Sequence, residues 1–342
     1  MSDGQVLGKL LLTQLSAVIF STRRREVFAV SANRCCIVVT TVIALASASL
    51  AMAAEPDGKR YVIIHADDAG MSHSVNRATI AAMEQGIVSS ASIMVPCPWF
   101  KEFAAYAKAH PEKDFGIHLT LNCEWTNYRW GPVLDKDKVP SLVDREGYLW
   151  DNVAQVAENA AAGEVKAELR AQIQRALDFG VPLTHLDTHM GAVVSRPDLV
   201  EIYVELGVEF DLPVFFLRNL GREVPDEAVR ARGLQLVAEL EKHKLPVLDT
   251  MTQLYTNGTF EDKKTQYLRA IADSKPGVQY LILHCGYDDA ELQAITSSSK
   301  IRDTDRRVFT DPDFIEAVKQ TGVEIVTWKQ VREMSDKKMA AK

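Results

Sequence analysis

Short apolar runs alternate with longer amphipathic runs along most of this chain, and that alternation constrains the fold more than any other feature. Compact apolar runs are typical of buried strands, whereas apolar residues that recur every three or four positions are typical of helices. We predict strands over Tyr61–His65, Ser92–Val95, Phe115–Leu119, Leu183–Asp187, Val214–Leu217, Val278–His284 and Val323–Thr327. We predict helices over Val75–Gln85, Trp99–Ala109, Val156–Phe179, Asp198–Leu206, Asp226–His243, Glu261–Asp273 and Pro312–Thr321. Strands and helices that alternate in this way predict an α/β fold with a parallel sheet.

The carboxyl ends of the predicted strands are where we expect function. About seven strand–helix units in one domain fit either a barrel or a doubly wound sheet, and both architectures carry their sites at that edge of the sheet. One connection, Asn122–Asp151, is longer than a routine loop and is rich in Pro, Asp and Lys. We interpret it as a candidate substrate-binding loop.

The first fifty or so residues have the pattern of an export signal. Arginines at positions 23–25 and 34 precede an uncharged apolar run over residues 35–50, which is too short for a comfortable bilayer span. Small residues at positions 51–53 then supply a cleavage site. We predict that residues 1–54 are removed, that residues 55–342 form a single catalytic domain, and that the protein is periplasmic or secreted. An uncleaved membrane anchor is the alternative.

The charge balance disfavours nucleic acid as a partner. The 342 residues carry 39 Lys and Arg against 46 Asp and Glu, and removal of the leader takes away five basic and two acidic residues, which changes the net charge from −7 to −10. An acidic protein of this kind repels a polyanion. The three cysteines that remain, Cys97, Cys123 and Cys285, do not imply a disulfide framework. The oligomeric state stays open, with a homodimer as one option.

Histidines and acids gather at the ends of four predicted strands. They are His65, Asp67 and Asp68 on the first strand, His118 on the third, His185, Asp187 and His189 on the fourth, and His284 on a late one. Five of the eight histidines in the chain belong to this set. Because the carboxyl ends of parallel strands meet at one edge of a sheet, the pattern predicts a shared site.

The adjacent acids Asp67 and Asp68 suggest a division of labour. Successive side chains on a strand point to opposite sides, so we expect one carboxylate to ligate a cation while the other takes a proton. A simple turn is the alternative, because Asp-Asp-x-Gly is also common turn chemistry.

The spacing of His185, Asp187 and His189 indicates a metal site. In an extended strand these three side chains share one face. Together with Asp68 and His118 they offer an Asp-His-His set for a divalent cation such as Mg or Zn, with coordination positions left for water and substrate. We expect Asp187 to orient one of the histidines, with His185 also beside the ligands. A polar turn near the surface is the alternative.

Taken in order, these motifs resemble those of the YdjC-like carbohydrate deacetylases, also called the ChbG/HpnK family. The resemblance rests on Asp67-Asp68-x-Gly, Gly-Ile-His118-Leu-Thr-Leu-Asn, Thr-His185-Leu-Asp187-Thr-His189 and His284-x-Gly-Tyr, and it runs from about residue 61 to about residue 330. It implies a distorted (β/α) barrel of about seven strands, related to polysaccharide deacetylase barrels. It also implies hydrolysis of an N-acetyl group on an amino sugar, such as a chito-oligosaccharide.

The resemblance also implies roles for single residues. It makes Asp68, His118 and His189 the ligands of one divalent metal ion, Asp67 the catalytic base and His284 the general acid. Aromatic residues after the third strand and a basic residue after the fifth are our candidates for contact with a glycan substrate. These candidates are Trp125, Tyr128, Trp130 and Arg218.

Two rival classes remain open from sequence. One is another metal-dependent amidohydrolase or a phosphoesterase on a similar barrel, although the chain has no Gly-rich phosphate loop. The other is a carbohydrate-binding protein with weak or no turnover, which the intact set of acids and histidines disfavours.

Overall fold

The computed structural model of this chain describes residues 58–218 and 226–340. The predicted signal peptide lies outside the described residues. Seven strands form one parallel sheet. They are β1 (Arg60–Ala69), β2 (Ser90–Ile93), β3 (Phe115–Leu119), β4 (Leu183–Thr188), β5 (Thr250–Gln253), β6 (Gly277–Leu283) and β7 (Glu324–Ile325).

Helices connect the strands and cover the sheet. They are α1 (His73–Glu84), α2 (Phe100–Ala109), α3 (Val153–Asn159), α4 (Ala162–Asp178), α5 (Pro197–Phe210), α6 (Glu227–Lys242), α7 (Phe260–Ala272), α8 (Ala290–Ile295), α9 (Ser299–Phe309), α10 (Pro312–Gln320) and α11 (Trp328–Ala340). Local sequence explains several starts: Pro opens α5 and α10, and Thr259 with Asp262 forms a capping box at α7. Among the described residues, no helix combines the length and apolar character that a membrane span requires.

The sheet follows the order β4-β3-β2-β1-β6-β5, and β7 pairs with β1. Among the described residues, isolated bridges alone join its two ends: Val214 pairs with Leu186 of β4, and Leu217 pairs with Leu248 just before β5. The predicted α/β fold with about seven parallel strands is confirmed. Its distortion is concentrated at 213–217, where the chain makes single bridges in place of a continuous ladder, so the regular closure of a TIM-like barrel is not formed.

Several elements differ from the sequence prediction: the predicted strand Val214–Leu217 forms single bridges, and α8 and α9 were not predicted. Two further differences have clear physical reasons. The predicted helix Val156–Phe179 is divided into α3 and α4, because Ala160 and Ala161 adopt extended backbone and the Arg196 guanidinium donates to the carbonyls at the end of α3. Strand β5 was missed because its residues, Thr-Met-Thr-Gln, contain no apolar run.

A buried polar clamp fixes the start of the long loop that follows β3. Gln172 of α4 accepts from the backbone N–H of Thr120 at 3.0 Å and donates to its carbonyl at 2.7 Å. Glu168, one turn earlier, accepts from the N–H of Val133 at 2.8 Å. Both side chains are fully buried. The loop is therefore held against α4, next to the carboxyl end of β3.

Candidate metal centre

A bulge at the end of β1 brings both acids of the Asp pair to one site. The register of β1 against β2 shifts between Ala66 and Ala69, and Asp68 has a left-handed backbone with φ of 68°. Asp tolerates this conformation better than most residues. The expectation that the two carboxylates point to opposite sides is wrong, because the bulge breaks strict alternation. Asp67 Oδ2 and Asp68 Oδ1 lie 3.8 Å and 3.4 Å from the same atom, Nε2 of His118.

Asp68, His118 and His189 come together from three strand ends. Asp68 Oδ1 lies 3.4 Å from His118 Nε2 and 3.3 Å from His189 Nδ1, and all three side chains are buried. One ligand atom from each residue lies within 4.8 Å of the others. Burial opposes ionisation of Asp68, yet Arg302 and the two histidines hold the pKa of its carboxyl well below the usual range.

Outer hydrogen bonds orient both imidazoles of this cluster. Asp187 Oδ1 lies 2.7 Å from Nδ1 of His118, and Glu124 Oε2 lies 3.0 Å from Nε2 of His189. A proton on each of those nitrogens leaves the opposite nitrogen free to face Asp68. Two carboxylates, one on β4 and one in the loop after β3, therefore prepare the two histidines as ligands.

These residues fit a divalent cation. Asp68 Oδ1 is buried and has no hydrogen-bond partner among the described residues, although it faces two imidazole nitrogens. An oxygen and two nitrogens that converge on one centre are a ligand set for Zn, and the carboxylate also suits harder cations such as Mg. The orphaned oxygen is explained if a cation lies among the three atoms.

Asp67 and His284 border the same centre and reach its solvent side. His284 Nε2 lies 3.7 Å from Asp67 Oδ2, and their side chains are 12% and 10% exposed. Burial lowers the pKa of the His284 imidazole. The ring of Tyr255 packs edge-on against this imidazole at 4.7 Å. A carboxylate and an imidazole thus stand together beside the three candidate ligands.

A second group of buried polar side chains lies on the inner face of the sheet. His65 Nε2 lies 3.0 Å from Asp187 Oδ2, while its Nδ1 lies 3.0 Å from the Ser90 hydroxyl. Because Ser90 donates its own proton to Asp114, Nδ1 of His65 donates to the Ser90 hydroxyl. With His185 and Asp187, His65 forms a second buried group that could hold a cation. His185 faces this group, with its ring 5.1 Å from that of His65, and not the Asp68 cluster.

Of the four predicted substrate-contacting residues, two are partly exposed near the centre and two are not available there. Trp130 is 3% exposed and its indole N–H donates to the Asn122 carbonyl, so its ring packs beside His189 and presents no free face. Trp125 and Tyr128 are partly exposed and pack on Trp130. Arg218 forms an ion pair with Glu241 of α6 and does not join the cluster.

The fold also brings to the centre residues that lie outside the strand-end motifs, of which Glu124 and Asp305 were missed from sequence. Glu124 contacts His189, and Arg302 of α9 places Nη2 2.7 Å from Asp68 Oδ2. Asp305, one turn further along α9, accepts from the backbone N–H of His284. From sequence, Arg302 is one of the arginines that could reach the substrate or the catalytic Asp, with a charged surface position as the default expectation.

Comparisons with known proteins place this chain among similar sequences and folds. The sequence profile of the family described as YdjC-like protein matches residues 61–320. A carbohydrate deacetylase from Thermus thermophilus is 31% identical over 81% of this chain and 95% of its own length. One from Thermoanaerobacter pseudethanolicus is 27% identical over 77% of this chain and 96% of its own length. The crystal structure of a candidate cellobiose-phosphate cleavage protein from Enterococcus faecalis V583 shares the fold, with a TM-score of 0.67 at 24% identity over 80% of this chain and 99% of that chain.

Proposed function

This chain belongs to the YdjC-like protein family, and we propose that it is a metal-dependent carbohydrate deacetylase acting on N-acetylated amino sugars of the chito-oligosaccharide type. The observation that carries the proposal is the convergence of Asp68 Oδ1, His118 Nε2 and His189 Nδ1 in a buried cluster. Asp67 and His284 stand beside it with a partial opening to solvent.

The cation has a defined task in this proposal. Asp68, His118 and His189 would hold a divalent cation, which would lower the pKa of water and polarise the amide carbonyl. The remaining chemistry, which is the transfer of one proton from water to the leaving amine, belongs to side chains of the protein.

Asp67 and His284 carry that proton. Asp67 accepts a proton from the attacking water as its oxygen bonds to the acetyl carbon. Since burial lowers the pKa of His284, its imidazole is neutral at rest and receives this proton across the 3.7 Å that separate it from Asp67. His284 then donates the proton to the sugar nitrogen as the C–N bond breaks, which releases the free amine and acetic acid, and the acid gives its own proton to solvent to become acetate.

The substrate meets the site beside the loop after β3. We propose that Trp125 and Tyr128, both partly exposed, contact the apolar face of a sugar ring. Met190 follows the ligand His189 directly and is 52% exposed, so it lies at the same opening. In keeping with the expected leader, we propose that the enzyme acts outside the cytoplasm.

The proposal is tested by metal analysis of the purified protein and by acetate release. The assay uses N-acetylated chito-oligosaccharides and O-acetylated sugars, with and without a chelator. We expect chelator-sensitive acetate release from the N-acetylated sugars. Asp67→Asn and His284→Ala should each lower kcat by roughly a hundredfold or more with metal content unchanged. The exposed His243 supplies a matched control, because His243→Ala removes an imidazole far from the centre.

Each rival predicts a different result. Phosphate release from phosphorylated sugars, with no acetate release, would assign the centre to a phosphoesterase. Binding of chitin fragments by metal-free protein, without turnover, would assign the chain to the carbohydrate-binding proteins. Full activity of Asp67→Asn would remove Asp67 from the mechanism.

A further inference from the structure

Helix α9 reaches the centre with a buried arginine. Arg302 is 3% exposed, and its Nη2 donates to Asp68 Oδ2 at 2.7 Å. Within the described residues, its Nε and Nη1 atoms are buried and have no hydrogen-bond partner. Asp68 is therefore the anchor of this guanidinium, and the guanidinium is the strongest partner of Asp68.

Because of this contact, the two carboxylate oxygens of Asp68 have different surroundings. Oδ2 is engaged by Arg302, whereas Oδ1 has no hydrogen-bond partner among the described residues and faces His118 and His189. A charge-assisted hydrogen bond from a guanidinium is among the stronger ones in proteins, and it fixes orientation as well as position. The two oxygens of one carboxylate thus have separate partners.

We propose that Arg302 is a positioning residue that keeps Oδ2 of Asp68 away from the cation, so that the carboxylate offers a single oxygen and the site stays open to substrate. This inference rests on the proposed function, because it concerns the same cation. In the contacts described, Arg302 donates to Asp68 and lies over the ring of Tyr255, and it touches neither the proposed base nor the proposed acid.

Removal of Arg302 should change cation affinity in the opposite direction to removal of a metal ligand, which weakens cation binding. Arg302 places a permanent positive charge beside a site that binds a cation, and like charges repel. Removing that charge frees Oδ2 and lowers the repulsion, and both changes favour cation binding. A variant without Arg302 should therefore bind the cation more tightly and turn substrate over more slowly.

The test compares Arg302→Met with the wild-type chain. We measure Zn²⁺ binding to the metal-free protein in competition with a chromogenic chelator, and kcat by acetate release. We expect Zn²⁺ to bind Arg302→Met roughly tenfold or more tightly. We also expect kcat to fall roughly tenfold or more, because both oxygens of Asp68 then occupy the centre.

Companion variants separate charge from packing. Arg302→Lys keeps the positive charge and should bind Zn²⁺ as the wild-type chain does, within about threefold. Arg302→Gln keeps a polar end on the buried stem and carries the same expectation as Arg302→Met if that variant does not fold. Arg306→Met is the matched control, because Arg306 lies one turn along α9 and pairs with Asp303.

The outcomes are distinct. Weaker or unchanged Zn²⁺ binding in the folded Arg302→Met or Arg302→Gln variant overturns this inference and leaves the proposed function intact. Tighter binding with undiminished kcat also overturns it, because the freed oxygen then has no effect on turnover. If the wild-type chain binds no divalent cation, the inference and the proposed function fail together.

Discussion

Replacing Lys263 with Met should lower the free energy of unfolding by about 3–5 kcal/mol, because it leaves a buried carboxylate without its cation. Lys263 of α7 pairs with Asp305 of α9, and the two side chains are 1% and 0% exposed. Within the part of the chain that the structure describes, Asp305 then keeps two neutral donors, the Tyr267 hydroxyl at 2.9 Å and the His284 N–H at 3.2 Å.

The neighbouring lysine supplies the control. Lys264 pairs with Asp311 at 2.7 Å, but about one-fifth of each side chain is exposed. Solvent screens that pair, so Lys264→Met should cost about 1 kcal/mol or less. We therefore expect Lys263→Met and Lys264→Met, at adjacent positions of one helix, to lower the free energy of unfolding by amounts that differ several-fold.

Urea unfolding, followed by tryptophan fluorescence, measures the difference. A loss of 3–5 kcal/mol is a large share of the roughly 5–15 kcal/mol that stabilises a typical domain. Adding Asp305→Asn to Lys263→Met removes the unpaired charge and should recover much of the loss. The reasoning is refuted if Lys263→Met falls within about 1 kcal/mol of Lys264→Met, or if the double variant is no more stable than Lys263→Met.

Two further predictions concern the centre and the strand beneath it. Burial opposes the charged form of His189, but Glu124 and Asp68 outweigh it and raise its pKa to about 9, so a proton occupies the ligand atom in the metal-free protein below that pH. Metal affinity should therefore rise roughly tenfold or more per pH unit from neutral pH up to about 9, and calorimetry in two buffers should detect proton release; an affinity independent of pH would contradict this. At Gly116 of β3 an added Cβ would lie 2.3 Å from Nε2 of the buried His185, so Gly116→Ala should destabilise the protein by about 1–3 kcal/mol. Gly163→Ala on α4 meets nothing within 4 Å and should stabilise it by up to about 1 kcal/mol, and chemical unfolding of both variants checks the contrast.

Much of the site was predictable because parallel strands end at a common edge. The sequence predicted His118 at the end of the third strand and His189 at the end of the fourth. In the structure the corresponding strands, β3 and β4, are adjacent in the sheet. The position of Asp187 beside a ligand histidine also follows from strand periodicity. These inferences need only element type and direction, which the apolar runs supply.

The remainder depends on geometry that residue patterns do not encode. A period of two cannot show the bulge at Asp68, where one left-handed residue redirects a carboxylate. Glu124 lies in a loop, and its contact with His189 joins positions 65 residues apart. Arg218 was expected at the substrate, but its guanidinium forms an ion pair with Glu241 of α6.

Helix α9, which residue patterns did not predict, contributes two contacts to the centre. Its sequence, Ser-Lys-Ile-Arg-Asp-Thr-Asp-Arg-Arg-Val-Phe, is too charged to be predicted as a buried element. Yet Arg302 and Asp305 are three residues apart, so they share one face of the helix. One contacts the carboxylate of Asp68 and the other the backbone of His284. A single rigid turn therefore sets the distance between the proposed metal ligand and the proposed acid, and the buried Lys263 that anchors Asp305 ties catalytic geometry to the stability of the fold.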